Sequence, residues 1–401
     1  MNPHNITQYA GVVHDNCNHL PDAELILPEV QTYTQQGDHN SPAQSIPETE
    51  AIMNLIENAK SRLLNTLLSL PAFAKRRIVG KPIRVDGLEL DLDMQLMVKL
   101  SNLEKPVRPS RHDHRQLHAS RQAFNTTTRV VQGKVVPMAT QELTFCQTAP
   151  TLPGRLYIPA TAGDLLLIYF HGGGWVHGNL DTHDNLCRHL ARTTQARVLS
   201  IEYQKAPENP WPTAVNDVLR AYEDIVTRLP ELGLKQPVIA VAGDSAGGKL
   251  ATVLARKLSS RTDITKPAAQ LLIYPSADSP REVGSRSLFA DGFLLTDEGI
   301  RIYRDCYIPE DQDQCHPDIS PLYAEDLHDS PPAIVVTAGF DPLRDEGRDY
   351  ARKLKEAGVD VLWIEFPGLV HGFANILCSK SALNAVEEMA GALRQKMLQR
   401  T

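Results

Sequence analysis

The sequence predicts an α/β chain: a mostly parallel central sheet with helices on both faces and a helical segment in front of it. Three observations predict this. Short apolar runs without period-2 alternation recur along the chain, the mark of strands buried on both faces. Segments of helical period lie between them, and such alternation implies parallel strands joined by crossover helices. The 401 residues, 42% of them hydrophobic, suffice for one large core and an accessory part.

Taken in order, residues 1–47 are polar, with Gln35-Gln36-Gly37-Asp38-His39-Asn40-Ser41-Pro42 at their centre, and read as a mobile extension. Ser45-Ile46-Pro47-Glu48 has capping-box spacing. Ile52, Leu55, Ile56, Ala59, Leu63, Leu67 and Leu70 then recur at helical period until Pro71 stops the helix. Further helices are expected over Asp91–Leu103 and from about Arg115 to Phe124, and strand candidates begin only beyond Val130. Residues 48–128 therefore read as a helical cap and 129–401 as the α/β domain that carries the chemistry. Within that domain the expected strands are Leu165–Phe170, Arg197–Tyr203, Val238–Ala242, Gln270–Tyr274, Ala333–Thr337 and Val361–Phe366. The expected helices are at about 183–193, 213–228, 246–259, 344–357 and 381–399. No internal repeat interrupts this series.

Composition excludes several classes. The net charge is −7, aromatics are 6%, and no basic stripe is present, so a nucleic-acid partner is not expected. The cysteines (Cys17, Cys146, Cys187, Cys306, Cys315, Cys378) form no C-x-x-C pair and scatter as reduced thiols do. No basic and then apolar leader opens the chain, and a cytoplasmic location is expected. No run of about 18 apolar residues predicts an integral membrane segment. Nothing in the pattern sets an oligomeric state.

Two short motifs carry the chemistry. His171-Gly172-Gly173-Gly174-Trp175 follows one strand candidate, and Gly243-Asp244-Ser245-Ala246-Gly247 follows another. The second is a G-x-S-x-G elbow, which places a serine on a tight strand-to-helix turn with its hydroxyl exposed. The first is a glycine loop whose bare backbone can aim N–H groups at a developing oxyanion. Together they imply acyl transfer through Ser245, with ester hydrolysis foremost. Gly243, Gly248 and Lys249 also fit the start of a phosphate-binding loop. That motif next needs Ser or Thr for Mg²⁺, and Leu250 stands there.

A serine needs a base, and the base an orienting acid. In a sheet with this elbow the chain order is Ser, then Asp or Glu, then His. Of the fourteen histidines only His371 lies beyond the acid candidates, in a loop after a strand. Asp341 is the expected acid, because it directly follows the Ala333–Thr337 strand and precedes Pro342. Asp345 and Glu346 fall where the next helix has begun and read as residues that cap it or face solvent. His112, His114 and His118 are closely spaced, but Arg111, Arg115 and Arg121 surround them, and a solvated helix is the better reading than a metal site. No metal or cofactor is expected.

At this point the chain resembles the bacterial hormone-sensitive lipase-like esterases of the α/β-hydrolase fold, in their GDSAG subgroup. The resemblance runs from about residue 85 to the end. It rests on the two motifs above, on Asp341-Pro342-Leu343-Arg344-Asp345-Glu346 and on His371-Gly372-Phe373. Tyr203, Ala206-Pro207-Glu208, Pro210, Pro212 and Ala214 agree with a further stretch of the family pattern, while Gln204-Lys205 and Asn209 depart from it. The resemblance implies a carboxylesterase acting on small-molecule esters of short to medium chain, under an N-terminal helical cap. It implies Ser245 as nucleophile, Asp341 as acid and His371 as base. It also implies an oxyanion hole of Gly172, Gly173, Gly174 and Ala246, with the N–H groups of the last three as donors. Trp175 and Phe373 adjoin these motifs and are expected to line the substrate pocket; Trp211 reads rather as core. The same triad serves amidases and peptidases. A non-catalytic ligand receptor on this scaffold is a further alternative, disfavoured because Ser, Asp and His all stand in place.

Overall fold

The computed structural model describes residues 46–104, 106–148 and 150–399, and for 46–54 the backbone alone. Ser45 and residues 1–44, which hold most of the expected extension, lie outside the described residues. The described residues begin with α1 (Ile46–Ser69), α2 (Ala72–Val79), a short hairpin β1 (Arg84–Val85) and β2 (Leu88–Glu89), α3 (Leu92–Ser101) and α4 (His114–Val131). Asp91 caps α3 and Asp113 caps α4, each carboxylate accepting two backbone N–H groups of the first turn. Neither α2 nor the hairpin was expected.

Two details depart from the sequence expectation. On α1 the periodic residues Leu55, Ile56 and Leu63 are exposed, whereas Glu57 and Leu64 are buried. Glu57 is turned inward because it receives Arg129 (2.8 and 2.9 Å) and Thr126 (2.9 Å) from α4. Helix α4 runs on to Val131 rather than ending near Phe124. Its Thr126-Thr127-Thr128 run is a poor helix former, but buried Thr128 and Val131 and the bonds to Glu57 hold it helical.

The sheet then follows: β3 (Ala139–Phe145), β4 (Leu152–Ile158), β5 (Leu165–Phe170), α5 (Asp184–Thr194), β6 (Arg197–Ile201), α6 (Thr213–Thr227), β7 (Val238–Asp244), α7 (Ala246–Ser259), β8 (Ala269–Ile273), α8 (Ser285–Leu288), α9 (Asp297–Tyr307), β9 (Ala333–Phe340), α10 (Arg344–Glu356), β10 (Val361–Val370) and α11 (Lys380–Leu398). Strand order is β10-β9-β8-β7-β5-β6-β4-β3, with β3 and β4 antiparallel at one edge and β5 through β10 parallel. The short helices α8 and α9 were not expected. For α9 a signal was present: Thr296 caps it through Gly299 N–H (3.0 Å), and Asp297 and Glu298 fill the first turn.

Side chains of a strand alternate between faces, and β5 feeds two cores. Leu166, Ile168 and Phe170 pack with α6, α7 and α10, through residues such as Val218, Leu254 and Tyr350. Leu165, Leu167 and Tyr169 pack with α5 and α11, and with Leu64, Met94 and Val131 of the helical segment. Because β5 to β10 run parallel, their carboxyl ends lie along one edge, where open α/β sheets hold their sites.

Candidate active site

Strand β7 ends at Asp244 and α7 begins at Ala246, so Ser245 alone makes the turn, at φ +54° and ψ −117°. A residue outside the common backbone regions carries about 1–3 kcal/mol of strain and persists only where its surroundings over-determine it. Here they do: Ser245 N–H donates to Ile273 O (2.8 Å), and its carbonyl accepts from Lys249 N–H (3.1 Å) and Ser276 N–H (3.3 Å). Gly247 makes the turn sterically possible, since a Cβ there would overlap the carbonyl oxygens of Phe170 and His171 at the end of β5.

The structure brings together the three residues expected from chain order. His371, just past β10, has Nδ1 2.8 Å from Asp341 Oδ2 and Nε2 3.0 Å from Ser245 Oγ. A carboxylate can only accept, so Nδ1 carries the proton and Nε2 is left as acceptor for the serine hydroxyl. Asp341 is fully buried, and its other oxygen accepts Leu343 N–H at 2.7 Å. The Tyr274 ring packs against the His371 imidazole with centroids 4.6 Å apart. This arrangement can take a proton from Ser245 while keeping the imidazole in one tautomer.

The glycine loop leaves β5 beside the serine. Gly173 and Gly174 have φ of +113° and +62°. Gly174 is further restricted, because a Cβ there would run into the Tyr303 ring. Among the described residues the N–H groups of Gly173, Gly174 and Ala246 have no acceptor. Gly172 corrects the expected oxyanion set: its N–H donates to Asp244 Oδ1 (2.8 Å) and is spent on holding the loop.

Asp244 is thus a residue that motif reading quoted without a task. It is buried, and Oδ1 also accepts Tyr169 O–H (2.6 Å), with His183 Nε2 at 3.2 Å. Burial works against its carboxylate, but His183, Tyr169 and Gly172 N–H outweigh it and hold the pKa at about 2. The signal that could have found it is a charged residue closing an apolar strand. His171 is equally interior. Its Nδ1–H donates to Gly172 O (2.8 Å), its ring stacks on Tyr203 at 4.3 Å, and burial lowers its pKa to about 3, so it stays neutral.

Further along the loop, His177 connects it to two helices. Ser120 of α4 donates its hydroxyl to Leu117 O (2.7 Å), so His177 Nε2–H must donate to Ser120 Oγ (3.0 Å). His177 Nδ1 then accepts from Tyr303 O–H of α9 (3.1 Å). Burial, helped by Arg121, lowers the pKa of His177 to about 3. Arg121 of α4 adds bonds to Val176 O (2.9 Å) and Ala206 O (3.0 Å) and a two-point contact with Glu208.

The expected pocket walls are corrected. Trp175 is 6% exposed and stacks on Tyr307, centroids 4.3 Å apart. Phe373 is 0% exposed and packs on Tyr274 and Phe366. Both belong to the interior, since flat aromatic surface next to a motif is as easily turned into a core as into a cleft. Trp211 packs against a core, as read from sequence. Asp345 and Glu346 do fall in the first turn of α10, but Glu346 is not solvated. It is fully buried and accepts Ala277 N–H (2.8 Å) and Asp278 N–H (3.3 Å), bracing the loop after β8.

Comparison with known proteins identifies the family. A family profile described as the alpha/beta hydrolase fold matches residues 167–375. The chain is 37% identical over 333 residues to carboxylic ester hydrolase LipN of Mycobacterium tuberculosis, covering 81% of this chain and 88% of that protein. It is 37% identical over 261 residues to an ethyl acetate hydrolase of Pseudomonas putida, covering 63% and 82%. Among solved structures, an ester-hydrolase from the metagenome of Lake Arreo superposes with a TM-score of 0.69 at 36% identity, over 75% of this chain and 96% of that one. A strained serine between β7 and α7, its ordered partners just past β9 and β10, and these likenesses converge on one conclusion: the chain belongs to the hormone-sensitive lipase-like esterases of the α/β-hydrolase fold.

Proposed function

We propose that this protein hydrolyses short- to medium-chain carboxylic esters through an acyl-enzyme on Ser245. The observation that carries the reading is the unbroken line Asp341–His371–Ser245, at 2.8 and 3.0 Å, beside a glycine loop with N–H groups to spare. Ser245 Oγ attacks the ester carbonyl as His371 Nε2 takes its proton. The carbonyl oxygen gains the negative charge, and the N–H groups of Gly173, Gly174 and Ala246 stabilise it. Collapse of the tetrahedral adduct breaks the bond to the alcohol, which leaves with the proton from His371. Water, deprotonated by the same imidazole, then releases the acid and restores Ser245. Asp341 keeps its charge throughout and stabilises the imidazolium.

Several finer features belong to the same proposal. The relative named ethyl acetate hydrolase acts, by that name, on a small ester, which supports a short- to medium-chain preference here. Gly243-Asp244-Ser245-Ala246-Gly247 supports the GDSAG subgroup. Residues 48–128 serve as the cap over the α/β domain at 129–401, and the reaction needs no metal or cofactor. Among the described residues no helix is long and apolar enough to cross a membrane, and the protein acts in the cytoplasm.

The test is a p-nitrophenyl ester series of increasing acyl length with a matching anilide, run beside labelling with a fluorophosphonate. Stoichiometric label on Ser245, and a kcat lowered about 10⁴–10⁶-fold in Ser245→Ala, are expected. Full hydrolysis by Ser245→Ala overturns the mechanism. Faster turnover of the anilide than of any ester overturns the substrate class.

A further inference from the structure

Lys249 lent the sequence its likeness to a phosphate-binding loop, and the hydrolytic chemistry leaves it without a task. It lies in the first turn of α7, with its N–H on the Ser245 carbonyl, and it is fully buried. A buried ammonium is unfavourable unless partnered. Its Nζ donates to Ile319 O at 2.9 Å and sits 3.8 Å from the centre of the Trp175 ring and 4.8 Å from that of Tyr307. A cation over an aromatic face is drawn to the ring's negative quadrupole, most strongly for tryptophan.

Trp175 directly follows Gly174. It holds φ +61°, a left-handed conformation that a bulky side chain rarely keeps without outside help. Its carbonyl accepts Ala206 N–H (3.0 Å), while among the described residues its indole Nε1 has no hydrogen-bond partner. Stacking on Tyr307 and the cation over its face are therefore the directional contacts of an indole otherwise packed in the core.

We infer that Lys249 is a positioning residue for the oxyanion hole: its ammonium anchors the Trp175 indole, and through it the turn that aims the Gly173 and Gly174 N–H groups. The inference rests on the oxyanion role proposed above for those two glycines. Burial lowers the Lys249 pKa to about 7, against Glu346 and Asp318, whose charges raise it. Asp318 is itself paired with Arg256 and Lys257, Glu346 lies 3.8 Å from Arg286, and the Tyr307 hydroxyl, its pKa raised by burial, is neutral. Burial also raises the Glu346 carboxyl to about 7, so both groups titrate near neutrality; the anchoring charge is lost as pH rises through about 7, and with it part of kcat above that pH.

Lys249→Met removes the charge and nearly keeps the volume, and Trp175→Phe weakens the same contact from the other side. Each is measured for kcat, KM and pH profile with a p-nitrophenyl ester, after near-ultraviolet circular dichroism has checked the fold. Expected is a fall in kcat of about 10–100-fold with KM nearly unchanged, the scale of a small misplacement of catalytic groups. The alkaline decline of kcat disappears in Lys249→Met, and the double variant is non-additive. A folded Lys249→Met or Trp175→Phe with kcat within twofold of the parent overturns the inference. So do additive losses in the double variant. Ser245→Ala, run alongside, reports on the triad alone, so inactivity there beside a fully active Lys249→Met overturns the role of the lysine and leaves the mechanism standing.

Discussion

Asp341 and Asp345 stand four residues apart and do different work, and burial separates them. Asp341 is 0% exposed and divides its oxygens between His371 and Leu343 N–H. Asp345 points the other way, to Ser285 N–H (2.8 Å), Arg344 (2.9 Å) and Arg348 (3.2 Å). Asp341→Asn is expected to keep the fold, favour the wrong imidazole tautomer and lower kcat roughly 10⁴-fold, as in other serine triads. Asp345→Asn is expected to leave kcat within a few-fold and cost about 1 kcal/mol of stability, the value of a modest polar contact near a helix start. Measuring kcat and Tm for both decides the matter. A nearly active Asp341→Asn beside a dead but folded Asp345→Asn reverses the assignment. Asp341 was legible because placement after a strand and before a proline is local. Asp244 was not, because its partners Tyr169, Gly172 and His183 are 61 to 75 residues away.

At the scale of elements, the glycine loop is held between α4 and α9 by one buried imidazole. Ser120, His177 and Tyr303 form a chain of hydrogen bonds in which the Leu117 carbonyl fixes the direction of every bond. The Tyr303 ring also lies on Gly174, so α9 bears directly on a proposed oxyanion donor. Tyr303→Phe keeps that ring but leaves His177 Nδ1 buried without a donor. The expected cost is about 1–3 kcal/mol of stability, with a smaller, few-fold loss of kcat. Urea unfolding and ester turnover measure the two; an unchanged unfolding midpoint contradicts the role of the hydroxyl. This linkage escaped the sequence because α9 itself did, although the Thr296 cap and two acidic residues were there to find. Composition worked against it: Asp297, Glu298, Arg301, Arg304 and Asp305 are charged and only Cys306 and Tyr307 are buried, although Ile302, Tyr303, Cys306 and Tyr307 keep helical spacing.

For the whole molecule the consequence of these buried imidazoles is acid lability. His171 and His177 are neutral in the folded state because burial has lowered both pKa values to about 3, whereas an unfolded histidine titrates near 6.5. Between those values the unfolded chain binds more protons than the folded one. Stability therefore rises with pH across that window and is lost as pH falls from about 6.5 toward 3, at up to about 1.4 kcal/mol per pH unit for each histidine. Unfolding free energies measured by urea at several values from pH 7.5 to 4 should decline steadily below 6.5. His177→Gln, which cannot take up that proton, should give a shallower decline, and an identical slope in that variant counts against burial as the cause.

What the sequence determined by itself was whatever neighbours along the chain decide. Apolar runs such as Val238–Ala242 and Ala333–Thr337 have to be interior strands, and small residues around Ser245 permit the elbow. With the order Ser, Asp, His, these features singled out Ser245, Asp341 and His371, three residues that the fold sets within hydrogen-bond reach of one another. Tertiary structure decided the rest, where the choice depends on residues far apart in the chain. It turned Glu57 rather than Leu55 and Leu63 inward on α1, because Arg129 waits on α4. It withdrew Gly172 N–H from the oxyanion set by setting Asp244 beside it, and it put Trp175 and Phe373 into the cores. A periodic pattern says that a side chain is apolar or that a backbone can bend. Which partner satisfies a buried charge, and which face of an aromatic ring is covered, are settled only when the elements meet, because burying an unpartnered polar group costs more than most local preferences can offset.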